Sequence, residues 1–516
     1  MAAIAAMTAA LMLLGAGAVH AGATVVEASV EKLQRDMAAG RATSQSITQD
    51  SLARIRRLDR AGPRINAVLE TNPDALAIAR SLDRERKAGK VRGPLHGIPV
   101  LLKDNIDTGD RMMTTAGSLA LMGAPAPRDA FIVKRLREAG AVVIGKTNLS
   151  EWANIRASKS TSGWSARGGQ TKNPYALARN PCGSSSGTGA AIASSFAVVG
   201  VGTETDGSIV CPSSAAGLVG VKPTVGLVSR SGIIPISHSQ DTAGPMTRSV
   251  ADAAAVLTAI AGVDPEDPAT QAAQGRVAAD YRSFLKADGL KGARIGIARK
   301  RVTGYNAHTD RLFGQAIADL KRLGAEIVDP ADFGNMGDYD EEELEVLLYE
   351  LKAGLDAYLG RRAGAPVRTL EDVIAFNERN GLREMPWFGQ DLFIKAQAKG
   401  PLTDEAYLKA AEKARRLART GIDDVLAQHK LDAIVAPTGS PAWLTDHVNG
   451  DAFQGSSSSP AAVAGYPNIT VPMGLARGLP VGLSFVGTAW SEGKLLGLAY
   501  SYEQGTRHRR APKLPR

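Results

Sequence analysis

Apolar residues recur at close to helical spacing through Ile47, Leu52, Ile55 and Leu58. Residues 46–58 are therefore expected to form an amphipathic helix, as are 30–37 before them and 74–87 after. The pattern then changes. Residues 97–102 are short, apolar and bounded by glycine, which predicts a buried strand running straight into Lys103-Asp104-Asn105. A helix at 129–139 and an apolar strand at 141–144 follow. Residues 183–220 are mostly Gly, Ser, Ala and Val, but the apolar run 190–201 within them excludes a linker. Ser249 is placed to cap a helix over 249–261. Strands at 294–298 and 326–328 flank a helix at 310–323. The charged stretches 339–380 and 404–428 read as helices lying over or beside a sheet. Strands return at 433–435, 469–471 and 481–486, and a last helix runs over about 492–503. With no internal repeat and no long linker, this alternation predicts an α/β fold: a single large domain with a mixed β-sheet flanked by helices.

Composition narrows the classes of partner. The 516 residues carry 61 Lys plus Arg against 52 Asp plus Glu, a net charge of +9, which is mild for this size. Part of it lies in the basic tail 507–516, which is expected to fray in solvent rather than to grip nucleic acid. Two cysteines exclude a disulfide scaffold and a multi-Cys metal cluster. Residues 2–19 carry no charge and end in Val19-His20-Ala21, a small-x-small pattern. Segment 1–21 is therefore expected to be a signal peptide, cleaved after Ala21 or Ala23, ahead of a domain over 24–506. Its n-region has only the start amine for positive charge, and no basic flank would stop transfer. No stable membrane insertion is expected, and the mature protein should be periplasmic or secreted.

Two motifs fail on context. Gly140-Ala-Val-Val-Ile-Gly145-Lys146-Thr147 fits a phosphate-binding loop, but the residues between its glycines are themselves the expected strand. Gly183-Ser184-Ser185-Ser186-Gly187 fits a nucleophile elbow, but a loop with two prolines precedes it where an elbow needs a strand. Seven histidines include no H-E-x-x-H pair, so no zinc hydrolase is expected.

Three segments remain. Lys103 stands at the C-terminal end of an expected strand, the edge where open α/β sheets place their sites. Three serines between glycines at 183–189 cannot form a core strand. Gly202-Thr203-Glu204-Thr205-Asp206-Gly207-Ser208 follows the apolar run and holds Ser208 in a tight turn, whose N–H groups can converge on one oxyanion. Together these residues resemble the amidase signature family. The Ser- and Gly-rich stretch 183–212 matches that family's signature. Gly97-Ile98-Pro99 followed by Lys103-Asp104-Asn105, the segment 145–152, Val221-Lys222-Pro223-Thr224 and 241–245 extend the likeness over about 30–502.

The resemblance implies a nucleophile at Ser208, a bridging serine at Ser184 held by a cis peptide, and a base at Lys103. It also implies oxyanion binding by the backbone of Thr205, Asp206, Gly207 and Ser208, with no cofactor and no metal. A spacing of 24 residues from Ser184 to Ser208 favours Ser184 over Ser185 as the bridge. Two departures bear on substrate. Asp206 stands where many relatives have Gly, and Val210 where many have Arg, which removes a cation suited to a free carboxylate. The segment 203–212, Trp164-Ser165, Glu384-Met385-Pro386, 389–392, 437–443 and 456–466 resemble the peptide amidase branch, which implies a small amide or peptide-amide substrate. The alternatives are an arylamide or fatty-acid amide hydrolase and an amidotransferase-subunit-like protein. If the triad holds, the loops of Cys182 and Cys211 must lie close, either as two buried thiols or as a bridge.

Overall fold

The computed structural model describes residues 24–514; the expected signal peptide lies outside them. Eleven strands form one sheet: β1 Val68–Thr71, β2 Pro99–Lys103, β3 Val142–Thr147, β4 Val199–Glu204, β5 Val219–Lys222, β6 Thr242–Thr247, β7 Arg294–Ile297, β8 Glu326–Val328, β9 Ala433–Pro437, β10 Asn468–Ala476 and β11 Leu479–Val486. Their order is β1-β3-β2-β4-β6-β5-β10-β11-β9-β7-β8. The sheet is mixed: β2 runs parallel to β3 and β4, whereas β4 and β6 are antiparallel. This is the α/β fold expected from the sequence.

Helices cover both faces. One core joins the helix Val250–Ile260 to strand residues such as Val100, Val143 and Val201; another packs the helix Ser186–Ala193 against Leu101, Val142 and Ile144. Ser249 caps its helix as expected, its side chain accepting the Asp252 N–H. The apolar run 190–201 divides: it closes the Ser186–Ala193 helix, then turns and enters β4. Every residue of that helix is buried. Gly187 lets its first turn approach closely, since a Cβ there would stand 2.4 Å from the carbonyls of Ala67 and Asn148. The charged helices pack on one another, Asp340–Arg361 against Leu370–Arg379 and Glu405–His429, and the last shares a core with β9 through Ala418, Ile422 and Ile434.

The basic tail departs from expectation. Among its described residues, Arg509 pairs with Glu27, His508 lies 2.9 Å from Asp319, and Leu514 packs against the core with Tyr175. Carboxylates and an apolar anchor hold a segment that its charge alone would leave in solvent.

Candidate active site

Strand β2 ends by delivering Lys103 into the protein interior, where it is fully buried. Its Nζ lies 2.7 Å from Ser184 Oγ, 2.9 Å from Thr203 Oγ1 and 3.2 Å from the Thr203 carbonyl. Burial drives its pKa down to about 7, although the carboxylates of Asp241 and Glu204 oppose the shift. Near neutral pH the amine is therefore partly unprotonated, within hydrogen-bond reach of the Ser184 and Thr203 hydroxyls.

The three serines separate by partner. The Gly183–Ser184 peptide is cis, and Ser184 is the one that reaches Lys103. Ser185 Oγ is engaged with the Thr203 backbone, at 3.0 Å to its carbonyl and 3.2 Å from its N–H. Ser186 Oγ donates to the Cys182 carbonyl at 2.6 Å.

Ser208 sits in the turn between β4 and the helix Val210–Ala215, 8% exposed. The Ser185 N–H donates to its carbonyl at 3.1 Å, which ties the two loops together. Its hydroxyl makes no hydrogen bond among the described residues, to Ser184 or to any other group; nucleophile–base contacts commonly tighten only around substrate. The N–H groups of Thr205, Asp206, Gly207 and Ser208 likewise find no acceptor among the described residues. Gly207, at φ +76°, turns the chain so that the four N–H groups belong to one concave bend. Two consecutive residues beyond, Glu204 takes over: its Oε2 accepts the N–H groups of Ile209 and Val210 at 2.7 and 3.0 Å, anchoring the helix after the nucleophile. Asp241 holds the other flank through the Thr205 hydroxyl at 2.6 Å, and Ser459 Oγ donates to Asp206 Oδ2 at 2.6 Å. Burial raises the pKa of all three carboxyls.

Several contributors were not read from sequence. Thr203 meets Lys103 through both its carbonyl and its hydroxyl, and Asn105 Nδ2 donates to the same hydroxyl at 3.0 Å. Trp152, Ala153 and Asn154 have φ of 49°, 56° and 76°, three successive left-handed residues without a glycine to signal them. Ser150 explains their place: its N–H donates to the Ser184 carbonyl at 3.0 Å, and the turn is held against it. A cavity of about 190 Å³ adjoins the site, lined in part by Asn105, Ala153, Thr203, Thr205, Ile234 and Ile236. Cys182 and Cys211 form a disulfide with Cα atoms 6.0 Å apart, joining the Ser184 loop to the helix after Ser208. Lys146 of the rejected phosphate-loop motif is a strand residue, buried and bonded to the Ile106 carbonyl. No group of three or more metal-ligating side chains occurs among the described residues.

Comparison with known proteins identifies the family. The Amidase family model matches residues 49–496. The native peptide amidase of Stenotrophomonas maltophilia superposes with a TM-score of 0.91 at 56% identity, over 94% of this chain and 98% of that one. A probable amidase of Arabidopsis thaliana is 43% identical, over 95% of this chain and 92% of its own. A subunit of the glutamyl-tRNA(Gln) amidotransferase of Moorella thermoacetica is 35% identical, over 91% of this chain and 95% of its own. The chain thus belongs to the amidase signature family and is a hydrolase of amide bonds.

Proposed function

We propose that this amidase removes ammonia from the C-terminal carboxamides of peptides, by a relay from Ser208 through Ser184 to Lys103. The observation that carries the relay is the buried Lys103 amine 2.7 Å from the Ser184 hydroxyl. Neutral Lys103 accepts the Ser184 proton while Ser184 accepts that of Ser208, so the Ser208 oxygen attacks the carboxamide carbon as an alkoxide equivalent. The developing oxyanion meets the N–H groups of Thr205, Asp206, Gly207 and Ser208. The C–N bond breaks as the relay returns the proton to nitrogen, releasing ammonia and leaving an ester on Ser208. Water, deprotonated by the same relay, then releases the acid.

The substrate reading draws on the 56% identity to a peptide amidase and on Val210. With Val210 after the nucleophile, and Arg230 in the cavity wall already paired with Asp267, a free carboxylate beside Ser208 would be desolvated without an unpaired cation from either residue, whereas a terminal carboxamide is neutral. The Cys182–Cys211 bridge supports a periplasmic or secreted enzyme, since such bonds persist in oxidising compartments.

The test is ammonia release from a peptide amide, a free amino-acid amide, glutamine and a long-chain fatty amide, with an anilide followed by aniline release. The peptide amide should give the highest kcat/KM. A tenfold or greater advantage for the fatty amide or the anilide, about 1.4 kcal/mol, would favour the hydrolase alternative. Preference for glutamine would favour the amidotransferase-like reading.

A further inference from the structure

A second hollow lies near the turn that holds Ser208, with Gln240 between them. It has a volume of about 640 Å³ and lies between the helices Asp340–Arg361 and Glu405–His429 on one side and the segment around Tyr466 and Trp490 on the other. His238 lines both this groove and the cavity beside Thr203 and Thr205. Gln240, also in its wall, donates to the Thr205 carbonyl at 3.4 Å and to Glu343 at 2.9 Å. His238 is thus a wall residue common to both, which sets the groove beside the cavity at the site.

The charge of the groove is one-sided. Its two carboxylates are already engaged: Glu350 by Ser237, Ser239 and Tyr407, and Glu412 by Arg416. Its three guanidinium groups have no carboxylate partner among the described residues. Arg276 lies over the Trp490 ring at 5.0 Å, Arg419 lies over Tyr466 and donates to the Ala464 carbonyl, and Arg415 makes no hydrogen bond among those residues. All three are exposed. Aromatic walls with unpaired guanidinium groups suit an extended peptide that carries a carboxylate side chain.

We infer that this groove binds the residues upstream of the scissile carboxamide and selects peptides with an acidic side chain there. The inference rests on the peptide-amide reading. An extended chain advances about 3.3–3.6 Å per residue, so the acidic position is found by scanning. The probes are N-acetyl tetraalanine-based peptide amides ending in Phe-NH2, with one Glu, Gln or Lys at the second, third or fourth residue from the amide. Exposed ion pairs act weakly and are screened by salt. At low ionic strength, Glu should exceed Lys in kcat/KM by about threefold or more at one placement at least. That preference should fall toward unity in about 0.5 M salt. Arg415→Glu should abolish or reverse it, while turnover of acetyl-Phe-NH2, too short to reach the groove, stays within about twofold. Equal rates for Glu, Gln and Lys at every placement would overturn the proposal and leave the peptide reading intact, as would a preference unchanged by Arg415→Glu. Failure to cleave any peptide amide while anilides are cleaved would overturn both.

Discussion

Lys103 and Lys146 stand one register position apart on the neighbouring parallel strands β2 and β3, where Lys146 pairs with Leu102 and Lys103 with Thr147. Both are fully buried, and burial lowers both pKa values. Their surroundings differ in kind. Lys146 donates to the Ile106 carbonyl at 2.6 Å and meets the Thr114 hydroxyl at 2.8 Å, while Asp104, Asp107, Asp110 and Glu70 favour its charge. Thr114 donates onward to the same Ile106 carbonyl at 3.3 Å, so its proton has nowhere to travel. Lys103 instead faces Ser184 on a loop joined to Ser208. Burial alone yields two perturbed lysines. A base requires, in addition, a hydroxyl partner placed on the way to an accessible nucleophile.

Substitutions should separate the two. Ser208→Ala should lower kcat/KM by at least about four orders of magnitude, roughly 5.5 kcal/mol, with unchanged circular dichroism. Lys103→Ala should lose about 10²–10⁴-fold, the range for a general base, and comparable turnover in this variant would reduce Lys103 to a strand-end charge. Lys146→Met should do the reverse. It strips the buried Ile106 carbonyl and Thr114 hydroxyl of their amine partner and costs about 1–3 kcal/mol of stability, read by denaturant midpoint, while the folded fraction keeps wild-type kcat/KM. Replacing Cys182 and Cys211 by Ala opens a bridge across 29 residues. It should cost about 2–4 kcal/mol of stability and change kcat/KM less than tenfold; a folded double variant without activity would show that the bridge itself shapes the site. The smallest effect expected is for Arg509→Ala. Its pairing with Glu27 is a surface one, worth about 1 kcal/mol or less.

The same contrast marks what the sequence revealed. Residues 97–102 read as a strand because they are apolar and bounded, and that reading put Lys103 at its end. The split of 190–201 into helix and strand was hidden because Ala and Val fill both. Strand β6 was missed because Thr-Ala-Gly-Pro-Met-Thr spells a turn. Its ladder to β5 covers only Thr247 and Met246, which leaves Pro245 beyond that pairing. Ser184 emerged over Ser185 from spacing in the family resemblance, and the hydrogen bonds place Ser184 on Lys103 and Ser185 on Thr203. The left-handed turn at Trp152, Ala153 and Asn154 had no local signal, because tertiary contacts rather than glycine stabilise it. The tail misled because charge was visible in sequence and its partners Glu27 and Asp319 were not.

The most direct test of the relay is the rate at which a fluorophosphonate modifies the protein, measured against pH with the adduct located by peptide mass. A base with a pKa of about 7 is protonated below that pH and able to accept a proton above it. The rate should therefore rise with pH through about 7 and level off, with the adduct on Ser208, and the rise should be absent from Lys103→Ala but present in Lys146→Met. An adduct on another serine, or a rate in Lys103→Ala that follows the wild-type profile, would contradict the account.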